Sequence, residues 1–148
     1  MGDDMKITTF RMDNRFLSNF WTPAYVKYDD MWFDSVELAY VAAKTLNMDH
    51  RKIIQNMKPG EAKRYGRQLV MRPDWDQVKY EIMLDLVRQK FQNNLLRQKL
   101  IDTGDADLEE GNTWHDQYWG VCNCGKCKGT GENMLGKILM QVRKEMEG

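Results

Sequence analysis

The stretch EGNTWHDQYWG, residues 110–120, brings acidic, imidazole and aromatic side chains together without helical or strand periodicity. Loops commonly carry binding and catalytic residues, while helices and strands form the core. Asp116 could act as a base or orient a substrate hydroxyl group; alternatively, it bonds its own backbone in a turn. Trp114 and Trp119 could stack on a flat ring, and their alternative role is to anchor the core. This loop is therefore a candidate site.

Glu37 is a second carboxylate that could do chemistry, and it lies in the helix-like stretch SVELAYVAAK. At spacings of three, four and seven residues, Glu37, Tyr40, Val41 and Lys44 would share one face of a helix. A carboxylate and an ammonium group with an aromatic ring between them could line a ligand site. The alternative is structural: with Asp34 as N-cap, Glu37 would be the third helical residue and would close a capping box.

Three cysteines form the sequence CNCGKC at 122–127, and a histidine lies seven residues before the first of them. His115, Cys122, Cys124 and Cys127 could form a Cys₃His zinc set, which would be structural rather than catalytic. Zinc signatures usually contain two separated pairs of ligands, and here one half is missing. The alternative is therefore three reduced cysteines in a glycine-rich loop.

The formal net charge is zero, but the charges are distributed unevenly. Residues 44–72 contain eight Lys or Arg against two acids, whereas residues 102–116 contain six acids and no Lys or Arg. A neutral total argues against a protein that coats duplex DNA electrostatically. The basic segment could still bind a phosphate, and its alternative is a solvated helix face.

Length and composition predict one soluble domain over residues 1–148, with 42% hydrophobic and 30% charged residues. No apolar run approaches the roughly 20 residues that a membrane helix needs. The first residues, MGDDMK, lack the features of a secretory signal, and three clustered cysteines do not suggest a disulfide framework. We expect a cytoplasmic protein that does not bind membranes; the sequence makes no prediction of its oligomeric state.

The regular elements that must position these residues begin with β structure and continue with helices. MKITTF is a candidate strand, and residues 24–33 predict a hairpin that turns at Asp29-Asp30. Capping residues and apolar spacing predict helices over 34–46, 59–69, 76–92 and 94–103, and a last one from Asn133. The expected fold class is mainly α with a small N-terminal β portion.

Six blocks of the sequence occur in the order seen in the NADAR, or YbiA-like, family. They are RFLSNFW, SVELAYVAAK, AKRYGRQL, RPDWDQVKYEIM, LIDTGDADLEEGNTWHDQYWG and GENMLGKILMQVR, and they extend from about Thr9 to Arg143. The resemblance implies a single compact, mostly helical domain with a small β portion. It also implies cleavage of N-glycosidic bonds in ribosylated compounds, either riboflavin-pathway ribosylamine phosphates or ADP-ribose attached to nucleobases.

The resemblance also implies roles for individual residues. Glu37 and Asp116 would be catalytic, although Val36-Glu37-Leu38 stands where the family often has Ser-Glu-His. Substrate binding is implied for Asn19, Phe20, Lys44, Lys63, Arg67, Trp75, Trp119, Gly120 and Asn133. Some relatives carry a similar cysteine insertion, so the chemistry is not expected to require it.

We therefore expect an N-glycosidase that uses its carboxylates and water and needs no cofactor apart from a candidate structural zinc. Its expected partners are a phosphorylated ribosyl or ADP-ribosyl small molecule and, as a second candidate, ADP-ribosylated nucleic acid. Two other classes of protein stay open. One is a module that binds ADP-ribose or NAD without cleaving it, and the other is an interaction protein whose fold is stabilised by zinc.

Overall fold

A computed structural model describes residues 5–147. Its strands are β1 (Lys6–Ile7), β2 (Val26–Tyr28), β3 (Met31–Phe33), β4 (Asp107–Leu108), β5 (Gly111–Asn112) and β6 (Val121–Cys122). A 3₁₀ helix spans Met12–Leu17, and the α-helices are α1 (Val36–Ala43), α2 (Met48–Gln55), α3 (Pro59–Gly66), α4 (Trp75–Lys90), α5 (Asn94–Asp102) and α6 (Met134–Glu147). The predicted fold class, mainly helical with a small β portion, is confirmed.

The chain divides into two compact units. The middle unit is Asn19–Asn93, and the terminal unit combines the segment that ends at Ser18 with the chain from Asn94 onwards. One domain over residues 1–148 stays a prediction. Within the part of the chain that the structure describes, no helix has the length and apolar character needed to cross a bilayer.

The hairpin of the middle unit forms as predicted. β2 and β3 pair antiparallel with Lys27 opposite Trp32. Asp29 and Asp30 have φ angles of 50° and 65°. Positive φ at both central residues gives the turn whose twist matches that of the flanking strands, and aspartate tolerates this conformation.

Helix α1 is the centre of the middle unit, because it packs against α2, α3 and α4. Its apolar residues from Val36 to Ala43 are all buried. Pro59 begins α3 as its first residue, as predicted. Helix α2 was not predicted: its sequence MDHRKIIQ is short and mostly polar, and its N-cap Asn47 accepts hydrogen bonds from Asp49 and His50.

The terminal unit packs helix α6 against β4, and α5 against both α6 and the 3₁₀ helix. The apolar residues whose spacing predicted this last helix form its core face: Leu135, Ile138, Leu139 and Val142 are buried, and Met146 is half-buried. Helix α5 is followed by Gly104 at φ 62°, the left-handed conformation that commonly ends helices. Two parallel pairs, β1 with β4 and β5 with β6, hold the remaining chain. The strands after residue 106 were not predicted, because two-residue strands carry no readable alternation.

Candidate functional site

The start of α1 differs from the predicted capping box. Ser35, not Asp34, is the N-cap, and its Oγ accepts a hydrogen bond from the backbone N–H of Leu38 at 3.1 Å. Glu37 is therefore the second helical residue, and the third position belongs to Leu38. The capping-box alternative for Glu37 is wrong. Glu37 is half-buried in the first turn of the helix, where the helix dipole favours negative charge.

A segment before the hairpin lies against this first turn. The backbone N–H of Glu37 donates to the carbonyl oxygen of Asn19 at 3.0 Å, which anchors the segment that carries Phe20. The Asn19 side chain reaches Met83 Sδ on α4, at 3.5 Å. Phe20 is 41% exposed, and Lys63 Nζ lies 5.7 Å from its ring centroid. The middle unit thus holds the predicted residues Asn19, Phe20, Glu37 and Lys63 in one chain of contacts.

A second chain of contacts leads from Lys44 into the core. Lys44 Nζ lies 5.3 Å from the centroid of the Tyr40 ring, and the Tyr40 and Trp75 rings pack with centroids 5.0 Å apart. Trp75 is only 6% exposed. Trp75 therefore packs against Tyr40 inside the unit, and its direct contact with substrate stays a prediction. Gly66 lets α3 approach closely, since a Cβ there would lie 3.0 Å from Val41.

The basic segment does not form one uniform solvated surface. Arg51 is buried and bonds the carbonyl oxygens of Ala42 and Thr45, besides pairing with Asp29. Arg72 pairs with Asp74, and this hydrogen bond raises the pKa of the guanidinium and lowers the pKa of the carboxyl. Arg51 and Arg72 therefore make interactions within the fold.

Arg67 is an exposed residue at the end of α3, and Lys44 and Lys63 are half-buried. These three are the basic residues for which a phosphate was predicted. Phosphate binding by these residues stays a prediction. Lys63 lies on α3, and Lys44 and Arg67 directly follow α1 and α3.

In the terminal unit, Asp116 organises the loop that follows it. Its Oδ1 accepts hydrogen bonds from the backbone N–H groups of Trp119, at 2.9 Å, and Tyr118, at 3.2 Å. The turn-forming alternative for this aspartate is thus observed. Among the described residues, both of these hydrogen bonds go to Oδ1, which supports the turn, and a catalytic role for Asp116 stays a prediction.

Asn112 was missed by the sequence interpretation, although it holds the whole loop. Its side chain is buried, and its Nδ2 donates to Glu110 Oε1 and to the carbonyl oxygen of Asp116. Its Oδ1 accepts from the backbone N–H groups of Trp114 and Asp116, both at 3.2 Å. Asparagine has the donors and acceptors for all four bonds. An asparagine two residues before an exposed tryptophan gives no signal of such a role in sequence.

The chain bends at Gly120, but this glycine does not have a positive φ, and its lack of a side chain matters for another reason. A Cβ at this position would overlap Glu110 Oε1 and the Glu110 carbonyl oxygen, at 1.9 Å and 2.2 Å. The glycine therefore permits close contact between two segments of backbone.

Asn133 has a left-handed φ of 53° just before α6. Its Nδ2 donates to the Leu108 carbonyl oxygen at 2.9 Å, and its Oδ1 accepts from the Glu110 N–H at 3.0 Å. The amide thus ties α6 to the chain before the loop, and its predicted bond to substrate stays a prediction. Gly136 permits the close approach of α6 to this segment, since a Cβ there would lie 2.1 Å from the Leu108 carbonyl oxygen.

Trp119 is half-buried and stands edge-on to Tyr118, with ring centroids 4.7 Å apart. Its carbonyl oxygen accepts from the N–H of Leu135 at 3.0 Å, which fixes its backbone to the first turn of α6. It is therefore not a sealed core residue. Trp114 is 44% exposed.

The predicted zinc ligands come together in the terminal unit. One ligand atom from each of His115, Cys122, Cys124 and Cys127 lies within 4.8 Å of all the others. The Cys127 backbone N–H donates to Cys124 Sγ at 3.4 Å and lowers the pKa of that thiol to about 6. Hydrogen bonding with the Cys122 thiol raises the pKa of Cys127 to about 12. This set could hold a metal ion.

Comparison with known proteins identifies relatives over most of the chain. The model of the NADAR domain matches residues 8–147. An N-glycosidase of Nostoc punctiforme is 38% identical over 136 residues, which cover 87% of this chain and 83% of that protein. The N-glycosidase YbiA of Escherichia coli is 34% identical over 125 residues, with 82% and 75% coverage. The NMR structure of YbiA matches with a TM-score of 0.78 and 32% identity, over 99% of this chain and 87% of that chain.

One relative is much longer. A riboflavin biosynthesis protein of Vibrio vulnificus is 35% identical over 136 residues, and the match covers 89% of this chain but 35% of that protein. The present chain therefore corresponds to about a third of it.

Proposed function

This chain belongs to the NADAR family, and we propose that it is an N-glycosidase that hydrolyses the N-glycosidic bond of a phosphorylated ribosyl compound. The observation that carries the proposal is the 38% identity to the Nostoc N-glycosidase across 83% of that protein. A match of this extent includes both the segment with Glu37 and the loop with Asp116. The half-buried Glu37, which is not part of a capping box, gives independent support.

The reaction breaks the bond between ribose C1′ and a nitrogen atom. As the bond lengthens, positive charge develops on the sugar and the electron pair moves to the leaving nitrogen. Water adds its oxygen to C1′, and a proton from that water is transferred, in net terms, to the nitrogen. Carboxylates suit both tasks, because one can stabilise the cation and another can accept or donate the proton.

We assign these tasks to the two carboxylates on the evidence found for each. Glu37 is held half-buried at the beginning of α1, where its backbone is fixed by Asn19. We propose that it stabilises the developing sugar cation. Asp116 has one oxygen, Oδ1, fixed by two backbone N–H groups. We propose that its other oxygen handles a proton or a ribose hydroxyl.

Recognition of the substrate is proposed for the aromatic and basic residues. Lys44, Lys63 and Arg67 would bind phosphate oxygens, for which Lys and Arg are the usual partners. Trp119 would stack beside the leaving base, since its half-buried ring is fixed through the backbone of its own turn.

Two substrate classes fit this recognition. The first is a ribosylamine phosphate of the riboflavin pathway, which the name of the Vibrio relative supports. The second, ADP-ribose attached to a nucleobase, free or within nucleic acid, rests on the family resemblance alone.

Location in the cytoplasm also stays a prediction.

A direct test incubates the purified chain separately with a riboflavin-pathway ribosylamine phosphate and with an ADP-ribosylated oligonucleotide. Mass spectrometry then measures released ribose 5-phosphate in the first arm and ADP-ribose in the second. Release that increases with enzyme concentration and disappears in Glu37→Gln supports the proposal and identifies the substrate class. Binding of ADP-ribose without release from either compound would instead indicate a non-catalytic binding module.

A further inference from the structure

The side chains of His115 and the three cysteines are arranged as a metal would require. His115 Nδ1 lies 3.4 Å from both Cys124 Sγ and Cys127 Sγ, and 4.0 Å from Cys122 Sγ. Zinc binds sulfur at about 2.3 Å and imidazole nitrogen at about 2.0–2.1 Å, so tetrahedral ligands lie about 3.6 Å apart. The three observed distances bracket that value.

The backbone around the ligands is folded to present them. His115 has a φ of 68°, a left-handed conformation that is uncommon for residues other than glycine and that histidine, like asparagine and aspartate, adopts more often than most. Local strain of this kind is kept where the surrounding structure needs the side chain in one direction. Here the imidazole is directed to the thiols.

Backbone hydrogen bonds close the cysteine segment into a compact loop. The Lys128 N–H donates to the Cys124 carbonyl oxygen at 2.9 Å, and the Gly129 N–H donates to the Cys122 carbonyl oxygen at 2.8 Å. Cys122 itself pairs with Thr130. These bonds fix the backbone that carries the three thiols, whose sulfur atoms lie within 4.8 Å of one another.

We propose that His115, Cys122, Cys124 and Cys127 bind one zinc ion in a closed tetrahedral site. Four protein ligands leave no position for water or substrate, which is the arrangement of structural zinc sites. The ion would link the loop of residues 110–120, at His115, to the segment that begins in β6 with Cys122, and so would hold from outside the loop that the Asn112 side chain organises from within. This inference does not depend on the proposed function.

The wild-type protein provides the first test. Protein purified under reducing conditions without chelator should contain about one zinc ion per chain by elemental mass spectrometry. After removal of the metal, titration with Co²⁺ should produce the visible d–d bands of a tetrahedral site and a thiolate-to-cobalt charge-transfer band. Well under one zinc per chain, together with no thiolate–cobalt absorption in the reduced metal-free protein, would overturn the proposal. A disulfide among the three cysteines under the same reducing conditions would also contradict it.

Variants test the ligand set. Cys124→Ser and Cys127→Ser should each lower zinc content to a small fraction of the wild-type value, and His115→Gln should change the cobalt spectrum by removing the nitrogen ligand. Lys126→Ser is the matched control, because Lys126 is an exposed residue between two ligands, and it should keep the full zinc content. Full zinc content in both cysteine variants would show that the metal binds elsewhere. The cobalt titration of the wild type decides the matter even where a variant fails to fold.

Discussion

Ser35 Oγ accepts a hydrogen bond from the backbone N–H of Leu38 at 3.1 Å, which makes Ser35 the N-cap of α1. With Ser35 as N-cap, Glu37 is one position too early to close a capping box. Loss of its charge should therefore remove little of the cap energy, although it removes a favourable interaction with the helix N-terminus. Function and stability can be separated at this residue.

Replacing Glu37 with Gln should lower turnover by about 10²-fold or more, since general acid–base and electrostatic groups of this kind contribute about 10²–10⁴. The melting temperature should change little, because the Ser35 cap remains. Turnover and thermal unfolding of the variant give the test. Glu81→Gln, an exposed position on α4, is the control and should keep wild-type turnover. Full activity in Glu37→Gln would remove this residue from the mechanism.

Two substitutions of Asp116 distinguish its chemistry from its turn. Asn keeps an oxygen that can accept from Tyr118 and Trp119, whereas Ala removes the acceptor. Asp116→Asn should therefore keep near-wild-type stability and lose about 10²-fold or more in turnover. Asp116→Ala should lose activity and stability together. If Asp116→Asn is as active as the wild type while Asp116→Ala is not, the residue only holds the turn.

The local features of this fold could be predicted, and the reasons are physical. Each local backbone conformation is one that its own residues favour: the turn at Asp29-Asp30, the helix start at Pro59 and the helix end at Gly104. The nearby sequence was therefore sufficient to predict these features. The start of α1 was predicted one residue too early, because Asp34 and Ser35 are both good caps and only the Leu38 N–H decides between them.

The features that could not be predicted from the sequence depend on contacts between residues that only the folded chain brings together. Helix α2 carries the buried Arg51, which bonds the carbonyl oxygens of Ala42 and Thr45 and pairs with Asp29 of the hairpin, so its sequence looked like a solvated segment. The role of Asn112 depends likewise on where residues 110–116 fold around it. The clustering of the zinc ligands was predicted from their spacing, but the left-handed turn that directs His115 to the thiols was not.

Trp119→Ala should weaken substrate binding by roughly 1–3 kcal/mol, the range for one base–aromatic stack. Trp119→Phe should recover part of this loss, because a smaller ring still stacks. The measurement is the dissociation constant of the substrate for the inactive Glu37→Gln protein. Trp114→Ala is the control, and we expect a much smaller effect there. Unchanged affinity in Trp119→Ala would show that this ring only packs against Tyr118.

Cys124→Ser should lower the melting temperature by roughly 10 °C or more, since each 1 kcal/mol of lost stability shifts Tm by about 2–4 °C in a domain of this size. The turnover of the still-folded variant should fall far less than in Glu37→Gln, because a closed site takes no part in the reaction. Differential scanning calorimetry and activity at a temperature below both transitions give the comparison. A variant that melts like the wild type would argue against a stabilising metal.

Lys90 should contribute an increase in the stability of the protein as the pH rises from about 7 towards 10.5. Burial lowers the pKa of this lysine from 10.5 to about 7. Between these values the unfolded chain binds a proton that the folded chain does not, so the free energy of unfolding increases with pH, and below pH 7 the full cost of burying the charge is present. Lys90→Met should flatten this rise, whereas the exposed Lys52→Met should not. Urea unfolding at a series of pH values measures the slope, and an equal slope in wild type and Lys90→Met would contradict the prediction.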